Sequence, residues 1–93
     1  MPSVVATIQV KEDKIEAAKT FLKKLCADTL ANEPGTLAYV AHQLKDQPAT
    51  FVFYEKYESD EAFGIHGKNL RAAGADFAEI LAGPPNIQIL DEI

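Results

Sequence analysis

The run Thr50-Phe51-Val52-Phe53-Tyr54-Glu55-Lys56-Tyr57 sets the architecture of this chain. Side chains of an extended segment alternate between two faces, so Phe51, Phe53 and Tyr57 point one way while Val52 and Tyr54 point the other. An antiparallel strand with one wet surface alternates apolar with polar, and this one does not. It reads as a strand covered on both sides, with the carboxylate of Glu55 set among aromatic rings.

Thr36 to Leu44 is a second strand of the same kind, in which Leu37, Tyr39 and Ala41 oppose Ala38, Val40 and Leu44. The polar loop Lys45-Asp46-Gln47-Pro48-Ala49 joins the two as a hairpin. Further upstream, Pro2 to Val10 alternates, with Val4, Ala6, Ile8 and Val10 on one face. Between these strands, Ile15, Ala18, Leu22 and Leu25 recur at three- and four-residue steps, which predicts an amphipathic helix to about Asn32 with Asp13 as its N-cap. Pro34-Gly35 stops it, because proline disfavours helix at the residue before it and glycine tolerates the turn that follows. Downstream of the hairpin, Ser59 caps a short helix that Gly67-Lys68-Asn69 interrupts. A further helical stretch carries Leu70, Ala73, Phe77, Ile80 and Leu81, Gly83-Pro84-Pro85 ends it, and Asn86 to Leu90 forms a last strand. The order β-α-β-β-α-β is the ferredoxin-like α+β signature with an antiparallel sheet, expected as one domain over residues 1–93.

Helices in this order cover one sheet face only. The other face is also apolar, and the economical cover is a second copy packed sheet against sheet as a homodimer. A chain of 93 residues has reason to associate, since alone it buries only about 60–65% of the surface its unfolded form exposes.

Nine basic residues against 14 acidic ones leave a net charge of −5, which argues against nucleic acid as a partner. The single cysteine, Cys26, cannot form an internal disulfide and fits a reducing compartment, so a cytoplasmic location is expected. Met1-Pro2-Ser3 lacks the start of a signal peptide, and no apolar stretch approaches the ~20 residues of a membrane span. Neither Cys-x-x-Cys nor His-x-x-x-His spacing occurs, and no glycine-rich phosphate loop is present, so neither metal nor nucleotide cofactor is called for.

Two side chains stand out chemically. His66 falls one helical turn after Ala62 and Phe63, on the face that packs on the sheet. It is either a general base or hydrogen-bond donor to a bound oxygen-rich ring, or a helix-end histidine bonded to a carbonyl near Gly67. Glu55 is costly among aromatics unless paired or protonated, and Arg71, a lysine or backbone amides are its expected partners. His42 lies on the opposite strand face from Tyr39 and either reaches the same cavity or ends near solvent. Tyr39, Tyr54 and Tyr57 read as wall residues whose hydroxyls find local partners, and Phe53 and Phe63 join Tyr39 and Tyr54 as candidates to line a small-molecule site. Cys26 reads as a buried filler.

Three segments in fixed order carry a resemblance: Glu33-Pro34-Gly35 with Tyr39 beyond it, Phe53-Tyr54-Glu55-Lys56-Tyr57, and Ala62-Phe63-Gly64-Ile65-His66. Together they resemble the antibiotic biosynthesis monooxygenase domain family, from Val4 to Leu90. The resemblance implies a dimeric α/β-barrel arrangement with a cavity between sheet and helices. It further implies a quinol or polycyclic phenol as substrate, itself supplying electrons to oxygen without metal or flavin. His66 is then the candidate base, with Tyr54 and Glu55 near the pocket. Haem-degrading relatives rely on a strand-one asparagine, a tryptophan and a later histidine; this chain offers Thr7, no tryptophan, and Leu70-Arg71-Ala72-Ala73-Gly74. A branch that isomerises phosphorylated sugars calls for a basic pocket, for which only Arg71 and a few lysines are available. A non-catalytic small-molecule binder, or an isomerase moving a proton through His66 or His42, remains as an alternative on the same scaffold.

Overall fold

A computed structural model describes residues 1–93. Its elements are β1 (Pro2–Gln9), a 3₁₀ turn (Glu12–Lys14), α1 (Ile15–Asn32), β2 (Thr36–Gln43), β3 (Thr50–Tyr57), α2 (Asp60–Ala72), α3 (Gly74–Ile80) and β4 (Asn86–Asp91). The strands form one sheet in the order β2-β3-β1-β4, with every neighbouring pair antiparallel. This is the ferredoxin-like layer that the order of elements predicts.

Alternation places the core. Val4, Ala6 and Ile8 of β1 and Phe51, Phe53 and Tyr57 of β3 are buried toward the helices, where Ala18 and Leu22 of α1 meet them. Phe21 of α1 meets Phe77 of α3 edge to face, with ring centroids 5.1 Å apart. The opposite surface is uncovered in the single chain: Val40 is 46% exposed and Tyr54 41%.

Four local expectations are corrected. Asp13 does not cap α1; it sits inside the 3₁₀ turn, and no side chain caps the helix that follows. Leu37 leaves the helix-side face because the β2–β3 register shifts between Thr36 and Ala38, and the extra residue swings outward. Gly67-Lys68-Asn69 does not interrupt α2, which runs through to Ala72 and breaks at Ala73. The cost of an internal glycine, about 1 kcal/mol, is met by a capped N-terminus, where Ser59 Oγ accepts from the Ala62 amide at 3.1 Å, and by packing of the helix on the sheet. Finally, the helices do not roof the whole sheet, since β4 is exposed along its length, Ile87 and Ile89 on its helix-facing side included.

Candidate functional site

A cavity of about 380 Å³ lies between the sheet and α2–α3, within the ~300–1,000 Å³ range of small-molecule sites. Val4, Ala6, Ile8 and Phe53 form its floor, Phe63, Leu70 and Phe77 its helical wall, and Ile87 of β4 its rim. Against this apolar lining stand Tyr39, Glu55, His66 and Arg71. Arg71 makes no ion pair within the chain.

His66 is 3% exposed, and its two nitrogens have different surroundings. Nδ1 lies 3.0 Å from Glu33 Oε1, whereas Nε2 is fully buried and finds no hydrogen-bond partner. Tyr39 and Tyr57 both pack against the ring, at centroid distances of 4.7 and 5.4 Å. Glu33 is itself anchored: Thr36 Oγ1 donates to Oε1 at 3.0 Å and Asn69 Nδ2 to Oε2 at 3.1 Å. The local cause is the helix-end corner. Pro34 holds Glu33 in extended geometry, φ −120° and ψ 90°, so α1 ends there and the side chain leaves the helix surface. Gly35 then lets α2 come close, since a Cβ at that position would stand 2.6 Å from Ala62 Cβ. His66, one turn beyond Ala62, thereby meets Glu33. Gly35 has no positive φ, so close approach, not backbone freedom, is why glycine is required.

Glu55 accepts a hydrogen bond from the Tyr57 hydroxyl at 2.5 Å. Its partner is therefore a phenol, not Arg71, a lysine or backbone amides. Burial pushes the Glu55 carboxyl above its ordinary range, and the Tyr57 hydroxyl and nearby His66 pull it back in part. Tyr39 and Tyr57 are both pushed far above the usual phenol range, by burial first; the Glu55 carboxylate adds to the shift of each. These hydroxyls stay protonated.

The sequence-predicted residues divide by face. Tyr39, Phe53, Glu55, Phe63 and His66 converge on the cavity. Tyr54 and His42 do not: alternation turns them to the open sheet surface, where His42 Nδ1 lies 3.2 Å from the Val52 carbonyl. Cys26 is half-buried beside the core, and burial pushes its thiol up, as suits a filler. Sequence reasoning passed over Glu33, Thr36 and Asn69. A spacing signal existed for the last, because Asn69 follows His66 by three residues and so shares its helix face. For Glu33 the signal was the proline behind it. No three His, Cys, Asp or Glu side chains converge in a way that holds a metal ion.

The family model described as antibiotic biosynthesis monooxygenase matches residues 1–79. Among solved structures, a Caulobacter crescentus protein provisionally described as an antibiotic biosynthesis monooxygenase is 34% identical, with a TM-score of 0.90 over 99% of this chain and 89% of that one. A Nitrosomonas europaea protein with the same description is 25% identical, with a TM-score of 0.86 over 100% and 99% of the two chains. A Mycobacterium tuberculosis protein shares the fold at 22% identity, with a TM-score of 0.85 over 99% and 94%. No curated protein matches the chain. A monooxygenase-type or small-molecule-binding role is what these similarities support.

Proposed function

Since the chain belongs to the antibiotic biosynthesis monooxygenase family, we propose that it oxygenates a quinol or a similar phenolic ring without a resident cofactor. The observation that carries this reading is His66 Nε2, a buried and unpartnered nitrogen on a ring that lines an apolar cavity. A phenolic hydroxyl that reaches that nitrogen, once a small shift of the lining uncovers it, satisfies it, and transfer of its proton to Nε2 leaves an electron-rich phenolate. The phenolate ring supplies electrons to oxygen and one oxygen atom bonds to ring carbon. The other leaves as water, so that quinol and dioxygen balance as hydroxyquinone and water. The apolar walls contribute by excluding bulk water from the intermediate. The lining holds one guanidinium, Arg71, and no second lysine or arginine, which suits a neutral aromatic ring better than a sugar phosphate. The same reading includes a homodimer through the open sheet face.

Oxygen uptake with reduced menadione tests the proposal, with His66→Ala as the decisive variant. Catalysed uptake that falls about a hundredfold in the variant is the expected result. No catalysed uptake across a panel of quinols, or uptake indifferent to the substitution, overturns it. Ligand-induced thermal stabilisation without turnover would mark the cavity as a binding site instead.

A further inference from the structure

We infer that Glu33 is a positioning residue that fixes His66 in the tautomer with its proton on Nδ1, leaving the lone pair on Nε2 for the ligand. The inference rests on the reading of His66 as the base, and its first test is independent of turnover. An ionised carboxylate only accepts hydrogen bonds. Glu33 Oε1 already receives Thr36 Oγ1, and Oε2 receives Asn69 Nδ2, so both oxygens face donors. The 3.0 Å approach of His66 Nδ1 to Oε1 therefore has one consistent sense, with Nδ1–H donating.

The other nitrogen agrees. If Nε2 carried the hydrogen, a buried N–H would be left without an acceptor in a site where Nδ1 and Oε1 would face each other lone pair to lone pair. Placing the proton on Nδ1 removes the lone-pair clash and leaves Nε2 as an acceptor open to a donor from a ligand. Tyr39 and Tyr57 pack against the ring, and Glu33 gives the observed orientation an acceptor at Nδ1. The arrangement has the logic of a carboxylate that orients a catalytic imidazole without touching substrate. Three of its four members come from Glu33, Thr36 and Asn69, none of which lines the cavity. Their part is to aim the fourth.

Nitrogen NMR of the His66 ring in the unliganded protein reads the tautomer directly. The neutral ring is expected to carry its proton on Nδ1; a neutral ring protonated at Nε2 overturns the inference, whatever the protein turns over. Glu33→Ala removes the acceptor and should shift the ring toward the Nε2-protonated form. With a quinol that the wild type oxygenates, kcat should fall about a hundredfold or more while KM changes little. Asn69→Ala, which keeps the carboxylate but frees one oxygen, should move both readouts in the same direction by less. Unaltered tautomer and kcat in a folded Glu33→Ala protein overturn the inference. Should Glu33→Ala fail to fold, the wild-type tautomer and Asn69→Ala decide it. An Nδ1-protonated ring in a protein that oxygenates no quinol supports the positioning role and retires the oxygenase reading instead.

Discussion

Glu55 concentrates the electrostatic cost of this cavity in one side chain. Burial raises its pKa, and the Tyr57 hydroxyl at 2.5 Å offsets part of that rise by stabilising the ionised form. A folded-state carboxyl with a raised pKa keeps its proton where the unfolded chain releases it. Its contribution to stability is complete below the unfolded glutamate value, about 4.3, and is lost as pH rises through the folded value. Glu55→Gln carries no such proton. Relative to wild type, the variant should therefore become progressively more stable as pH rises from acid to neutral, as read by urea denaturation at a series of pH values. A difference that is flat with pH, or that grows in the opposite sense, contradicts the assignment. In the sequence, Glu55 was visible as an anomaly because a carboxylate between Phe53 and Tyr57 breaks the apolar pattern. Its partner was not visible, since residues two apart on one strand face compete with every cation that the fold brings near.

The corner between α1 and β2 works as an element-level device. Gly35 admits the first turn of α2, and a methyl group there would meet Ala62 Cβ at 2.6 Å, too close for any real contact. Gly35→Ala is expected to cost about 1–3 kcal/mol by forcing α2 away. It should also weaken the Glu33–His66 hydrogen bond, because His66 rides on the same helix. Gly64 is the internal control: nothing lies within 4 Å of a Cβ there, and it sits mid-helix. Gly64→Ala should stabilise by about 0.5–1 kcal/mol. Equal stability of the two variants in urea denaturation would remove the close-approach argument. Helix α1 was legible from its three- and four-residue apolar steps, but α2 was read as broken at Gly67-Lys68-Asn69. Propensity disfavours helix there, and packing on the sheet overrides it.

At the scale of the whole molecule, the open sheet face remains the main unsatisfied feature. Val40 and Tyr54 are nearly half exposed there, and Val5 and Val52 lie beside them half-buried. The homodimer proposed above covers them. Val40→Asp places a charge in that face and should shift the molecule from dimer to a 10.2 kDa monomer in light scattering. A wild-type protein that is monomeric at micromolar concentration would count against the dimer at once. Two periodicities, two and 3.6, with proline and glycine at the corners, were enough to read four strands, the helices and their order from the chain alone, because these are local rules that neighbours in sequence obey. The sequence also showed that His66 shares a helix face with Ala62 and Phe63. That it meets Glu33, 33 residues away, and that the strand face bearing Tyr39, and not the one bearing Tyr54 and His42, lines the cavity, depended on which face the helices cover and on how α2 docks beside the Glu33-Pro34-Gly35 corner. Such contacts join residues remote along the chain, and no local preference encodes which of several polar side chains will be brought within 3 Å of another.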